Sequence, residues 1–175
     1  MSAAPPRFDL AAINAMNRDA FVAVLGPAFE NAPWVAAGAW AERPFASVTA
    51  LHAAMLDVVR EAPDERQLAF LCGHPELAGR EALTGTMTTE STGEQSSAGL
   101  NALSAAERDE LQSLNRAYNE RHGFPFIIAV RANTRQQIFE AIRARTSQTT
   151  EVERRAALEQ IGLITRGRID ALVKE

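Results

Sequence analysis

Four polar signatures punctuate this chain of 175 residues: Ser91-x-x-Glu94, Ser104-x-x-Glu107, Thr134-x-x-Gln137 and Thr150-x-x-Glu153. Each reads as a capping box, in which a hydroxyl accepts a hydrogen bond from the amide three residues on while the carboxylate or amide side chain reaches back. Apolar residues recur between the signals at helical spacing. Phe21 and Leu25 follow a polar start at Asn17 and are stopped by Gly26-Pro27. Ser47 can cap a helix carrying Leu51, Met55, Val58 and Val59, with Pro63 beyond its end, and Asp64 opens a shorter one through Leu68 and Leu71 that Gly73 closes. Leu111, Leu114 and Tyr118 form the face of a long helix from Ser104 to Gly123. Ile138 and Ile142 mark the next, and Leu158, Ile161, Ile164 and Leu172 the last. No alternating strand pattern and no repeat competes with this reading. The apolar run Phe124 to Val130 could be a buried strand or an extended connector, and Pro125 argues against a central strand. The expectation is an all-α fold, a single compact multi-helix domain of about seven to nine helices. It spans residues 1–175, with 1–8 as a loosely ordered amino-terminal segment.

Composition narrows the class. Hydrophobic content of 46% and charged content of 23% suit one soluble domain with a real core. A net charge of −4, a pI near 5.5 and the lack of long like-charge runs argue against nucleic acid or a membrane surface as partner. Cys72 is the sole cysteine, so neither an intrachain disulfide nor a thiolate zinc cluster can form, which suits a reducing compartment. Pro5, Pro6, Arg7 and Asp9 interrupt the amino terminus, no segment approaches the ~20 apolar residues of a membrane span, and Val173-Lys174-Glu175 is not a peroxisomal signal. A cytoplasmic protein is expected. The histidines at 52, 74 and 122 show no metal-ligand spacing, and nucleophile-elbow, P-loop and dinucleotide motifs are absent.

Two polar stretches carry the chemistry: Cys72-Gly73-His74-Pro75-Glu76-Leu77-Ala78-Gly79-Arg80 and Ser91-Thr92-Gly93-Glu94-Gln95-Ser96-Ser97-Ala98-Gly99-Leu100. A histidine titrates near neutrality and can give or take a proton, and Pro75 biases His74 out of helical geometry at a helix exit. The bland alternative is a surface-loop histidine. Ser91 and Glu94 can cap a helix, bind a ligand, or do both, and Gly93 leaves room for close approach. The Gln95 amide both donates and accepts, which matches the alternating N–H and C=O edge of a ureido group. Arg168 falls on the apolar stripe of the last helix, four residues after Ile164 and four before Leu172. There it either stretches to water over a packed stem or meets an anion.

Taken together, His74-Pro75-Glu76-Leu77-Ala78, Ser91-x-x-Glu94-Gln95, Gly123-Phe124-Pro125-Phe126-Ile127-Ile128, and the upstream Pro33-Trp34-Val35-Ala36 and Arg43-Pro44-Phe45 resemble 2-oxo-4-hydroxy-4-carboxy-5-ureidoimidazoline (OHCU) decarboxylase. The likeness covers nearly the whole chain, in the family's order and spacing. It implies a lyase of urate and purine catabolism that needs no cofactor and no metal and decarboxylates a small ureidoimidazoline to (S)-allantoin, with a homodimer as its assembly. It assigns His74 and Glu94 as catalytic, and Pro75, Ser91, Gln95, Phe126, Ile127, Ile128 and Arg168 as substrate-binding. The sequence departs from the family at Thr146-Ser147-Gln148-Thr149, where Arg-Leu-x-Asn is common, and at His122, where Phe is usual. Alternatives from the residues alone are a non-catalytic helical interaction module, or the same fold acting on another small ureide. The resemblance carries its own test. Turnover should survive exhaustive chelation, and a loss of activity restored specifically by added metal would contradict cofactor-free chemistry.

Overall fold

The computed structural model describes residues 7–175, and the all-α expectation holds: ten α-helices are present among them. They are α1 (Leu10–Ala15), α2 (Arg18–Leu25), α3 (Pro33–Ala39), α4 (Val48–Arg60), α5 (Asp64–Cys72), α6 (Arg80–Thr84), α7 (Thr89–Ser97), α8 (Ala105–His122), α9 (Arg135–Thr146) and α10 (Thr150–Leu172). The count exceeds seven to nine through short pieces such as α1 and α6, which offer too few residues for periodicity to register. The only strands among the described residues are the two-residue β1 (Phe8–Asp9) and β2 (Val173–Lys174), paired in parallel with Phe8 opposite Val173. Residues 1–6 of the expected loose segment lie outside the described residues. Arg7 and Phe8 are tied in, since the Arg7 guanidinium donates to the Val173 carbonyl at 2.9 Å.

Most capping signals act as read. Asn17 accepts from the Ala20 amide, Ser47 from the Ala50 amide, and Ser104 and Thr134 form complete boxes with Glu107 and Gln137. Such a cap stabilises its helix by about 1 kcal/mol. Gly123, with φ +79°, ends α8 in the left-handed region that a side chain resists. The other two boxes do not form. Helix α7 begins earlier, with Thr88 as the cap accepting from Ser91 N–H at 3.2 Å. Thr149 takes the capping place before α10, accepting from Val152 N–H, while Glu153 turns inward and is 1% exposed. A buried ion pair outcompetes a solvated cap there.

The chain forms two compact units. One comprises the chain up to Phe70 together with Ile164–Glu175. In it α3 packs on α2 and α4, and Gly38 is what permits the approach: a Cβ there would stand 2.8 Å from Val58 Cγ1. The Arg43-Pro44-Phe45 motif is a fastener in this unit. Arg43 donates to the carbonyls of Asn14, Met16 and Trp40 and lies over the Trp40 ring, while Asn14 and Phe45 exchange two hydrogen bonds. Pro33 and Trp34 open α3, with Trp34 edge-on to Phe70. Both upstream motifs therefore build the fold.

The other unit, Leu71–Leu163, packs α8 on α9 around Leu111, Tyr118, Phe124, Phe126, Ile138 and Ile142, all buried. The run Phe124 to Ala129 forms neither strand nor helix, as Pro125 suggested, and Val130 opens a 3₁₀ turn (Val130–Ala132); all seven residues are buried. No helix among the described residues is long and apolar enough to cross a membrane.

His52 makes the first unit pH-sensitive. It is buried on the face of α4 that carries Leu51 and Met55, with Nε2 2.9 Å from Thr165 Oγ1. Burial first, then the Arg166 charge, hold its pKa below the ordinary 6.5, with Arg60 adding to them and Asp170 opposing. The unfolded chain therefore takes up the proton first as pH falls. The stability His52 contributes is complete above about pH 6.5 and is lost as pH drops through the depressed value. Urea unfolding from about pH 7.5 to about pH 5 should show a decline that His52→Gln reduces. Parallel profiles for the two proteins would refute this.

Candidate active site

Helix α5 ends at Cys72, and the loop that follows is held by side chains. His74, two residues past the helix end and 9% exposed, still reaches back through its N–H to the Leu71 carbonyl at 3.2 Å. Gln95 then grips the loop twice. Its Oε1 accepts from Ala78 N–H at 2.8 Å, and its Nε2 donates to the Glu76 carbonyl at 3.2 Å and approaches Met87 Sδ at 3.3 Å. Asn115, 3% exposed on α8, donates to the Leu77 carbonyl at 3.0 Å. These bonds hold Ala78 at φ +47°, a conformation that costs a residue with a side chain about 1–2 kcal/mol. The loop closes so tightly that a Cβ on Gly79 would stand 2.6 Å from Glu76 Cβ.

Helix α7 presents the second half of the constellation. Ser91, Glu94 and Gln95 fall at i, i+3 and i+4 on one face, and all three are buried, at 5%, 8% and 6% exposure. A nine-residue helix that buries a hydroxyl, a carboxylate and an amide instead of apolar side chains is not built for core packing. Gly93, which the sequence offered for close approach, is instead exposed on the far side of α7 from this face, where the nearest atom to a built Cβ is Arg131 Nη2 at 4.0 Å. A pocket of about 180 Å³ adjoins the anchor, lined in part by Ala78, Met87, Thr92, Gln95 and Leu100. His74 and Glu94 are not among its lining residues, so the side-chain chemistry and not this pocket marks the site.

The loop with His74 and half-buried Pro75, the α7 face, and the buried segment with Phe126, Ile127 and Ile128 all belong to the unit Leu71–Leu163. Gln95 ties the first two together directly. Arg168 lies in the other unit, 7% exposed, with Nη1 donating to Glu30 Oε2 at 2.6 Å and to the Ala28 carbonyl at 3.4 Å. The anion that a buried guanidinium demands is thus supplied at least in part by the protein. Arg166 instead pairs with Asp170 on the helix surface.

Several contributors escaped the sequence reading. Glu30 sits in an irregular turn at φ +56°, where no periodicity can place it. Asn115 and Glu153 did leave a signal, since each interrupts an apolar stripe: Leu111, Asn115, Tyr118 on α8 and Glu153, Ala157, Ile161 on α10. His122 ends α8, buried against the Tyr118 ring at 4.5 Å with Nδ1 3.1 Å from Thr150 Oγ1. Cys72 is exposed and donates weakly to the Gly123 carbonyl. Among the described residues no cluster of three or more His, Cys, Asp or Glu has the form of a metal site.

Comparison with known proteins places these features in context. A family model described as OHCU decarboxylase matches residues 14–170. The chain is 37% identical to the 2-oxo-4-hydroxy-4-carboxy-5-ureidoimidazoline decarboxylase of Mus musculus, over 94% of this chain and 93% of that protein. It is 36% identical to the protein of the same name from Halalkalicoccus jeotgali, over 91% and 89%. Among solved structures, a crystal structure of (S)-allantoin synthase matches with a TM-score of 0.72 and 27% identity, covering 94% of this chain. The chain spans about half of that structure, 54% of its length.

The Arg168 pair has a measurable consequence. Glu30→Ala should cost about 3–5 kcal/mol in denaturant unfolding, because it takes the carboxylate away from a buried cation, and adding Arg168→Met should recover part of that loss. Equal stability of Glu30→Ala and wild type would show that the pair carries no such burden. Arg168→Ala should destabilise for the same reason, since it takes the guanidinium away from the buried Glu30 carboxylate.

Proposed function

The chain belongs to the OHCU decarboxylase family, and on that premise we propose that it converts OHCU to (S)-allantoin with loss of carbon dioxide in urate degradation. The observation that carries the reading is the polar face Ser91, Glu94, Gln95, buried on a helix and fastened through Gln95 to the loop that bears His74.

The substrate supplies its own electron acceptor. Its carboxylate and hydroxyl share one ring carbon, and the adjacent ring carbon is imine-like. When the bond to the carboxyl carbon breaks, its electron pair becomes the double bond between the two ring carbons, and the imine π pair moves onto nitrogen. The hydroxyl proton then leaves as the ring carbonyl forms, nitrogen is protonated, and a proton added to one face of the neighbouring carbon fixes the handedness. The protein has to orient the substrate, exclude water and move protons.

His74 hydrogen-bonds the hydroxyl or carboxylate and handles its proton, and Glu94 orients the substrate or the imidazole. Ser91, Pro75 and Gln95 hold the ureido and ring groups together with the backbone of Phe126, Ile127 and Ile128. They set the scissile carboxylate perpendicular to the acceptor system. The Gln95 amide, already engaged by the loop, acts from that anchored position. Arg168 enters on its match to the family's last-helix arginine and on its chemistry, as the cation for a substrate oxygen. A single domain, a homodimer and a cytoplasmic location complete the proposal.

OHCU decays without enzyme to racemic allantoin, so optical activity is the measurement to make. With urate, uricase and hydroxyisourate hydrolase generating OHCU in place, circular dichroism should show rapid (S)-allantoin from wild type and impaired formation by Glu94→Gln. His74→Ala should lose about 100-fold or more. Wild-type rate and enantiomeric excess in His74→Ala would falsify the mechanism, and a racemic product from wild type would remove the decarboxylase reading itself.

A further inference from the structure

The connector Phe124 to Val130 is buried but joins no strand, so its amides and carbonyls cannot be satisfied by a ladder. Helix side chains reach in to do it. Gln160 Oε1 accepts from Ala129 N–H at 3.0 Å, and Arg145 Nη1 donates to the Ile127 carbonyl at 2.9 Å. The same Arg145 guanidinium lies 4.6 Å from the centre of the Phe126 ring. Its Nε donates to Glu153 Oε2 at 3.0 Å, with Nη2 2.9 Å from that oxygen. The Tyr118 hydroxyl donates to the same oxygen at 2.6 Å, and the Tyr118 ring stands edge-on to Phe126 at 5.2 Å. Burial, and then this hydrogen bond, push the Tyr118 phenol far above its ordinary pKa, so it remains a donor.

We infer that Arg145, braced by Glu153 and Tyr118, is a positioning residue for the reaction, fixing the Ile127 carbonyl and the Phe126 ring that form the substrate wall. The inference rests on the reading of Phe126, Ile127 and Ile128 as substrate-binding. Packing alone does not account for the arrangement, because desolvating a carboxylate and a guanidinium costs several kcal/mol per ion before their attraction repays it. Geometry does account for it. Only a planar fork can hold a carboxylate on one edge and present a further N–H to a carbonyl while its face covers an aromatic ring. Lysine keeps the charge and loses the fork.

Arg145→Lys and Tyr118→Phe in the full chain separate these roles. For Arg145→Lys the KM for OHCU should rise about 10- to 100-fold with kcat within about threefold, because the wall binds the substrate and does not move its protons. Tyr118→Phe, which keeps the ring and removes the brace, should raise KM in the same direction by less, and it decides the matter if Arg145→Lys does not fold. The ¹H–¹⁵N signal of Ile128, whose peptide carries the Ile127 carbonyl, should shift in Arg145→Lys. Folded variants with wild-type KM, or with lowered kcat at unchanged KM, overturn the inference. An unmoved Ile128 amide in Arg145→Lys overturns it whatever the activity. A racemic product from wild type removes the decarboxylase reading, while the Ile128 signal still reports whether Arg145 holds the segment.

Discussion

One primary amide holds the candidate site together. Gln95 accepts from Ala78 N–H and donates to the Glu76 carbonyl, so a side chain on α7 does for the His74 loop what a strand partner would do in a sheet. The loop satisfies these groups only in part, Gly79 N–H donating to the Glu76 carbonyl at 3.3 Å, because Pro75 prevents continuation of the α5 helix and Ala78 sits in a left-handed conformation. Asn115 secures the intervening carbonyl from α8. Two consecutive peptide units, Glu76–Leu77 and Leu77–Ala78, are therefore fixed by two side chains from different helices. The loop that carries His74 is thereby tied to the helix that carries Glu94, one residue from the anchor.

The same device recurs wherever the chain is buried without regular structure. Arg145 and Gln160 serve the connector after Gly123, Asn14 of α1 serves Phe45 in the turn before α4, and Arg43 in that turn serves the carbonyls of Asn14 and Met16. An all-α protein with irregular buried segments must import hydrogen-bond partners from its helices, since an unpaired buried amide or carbonyl costs about 1–3 kcal/mol. This explains why polar residues interrupt the apolar stripes of α8 and α10. The charges that are buried are paired as well, Arg168 with Glu30, and Glu153 with the half-buried Arg145.

Such a framework suits a reaction in which the substrate carries its own electron acceptor. The chemistry asks for orientation, a dry pocket and controlled proton movement, and rigidity supplies the first of these. A short helix with a buried polar face and a loop clamped at three points is a rigid support. Hydrogen bonds of about 2.8 to 3.2 Å reach across the sequence to hold it, beside the buried Leu77, Ala78 and Leu100.

The helical class was legible in the sequence because capping and periodicity are local. Asn17, Ser47, Ser104, Thr134 and Gly123 act on amides and carbonyls within four residues, so their signals survive without knowledge of the rest. The identity of the polar motifs was legible too, since their order and spacing are properties of the chain. Tertiary structure decided what local rules leave degenerate. Ser91 could cap or face inward, and Thr88 took the cap. Thr150 and Glu153 fitted a box, but Arg145 and Tyr118 offered Glu153 partners in the interior. The connector could have been a strand, but its carbonyls found side chains. The partner of Arg168 is a glutamate 138 positions away in a turn of left-handed backbone, and a contact between residues so far apart leaves no period in either neighbourhood.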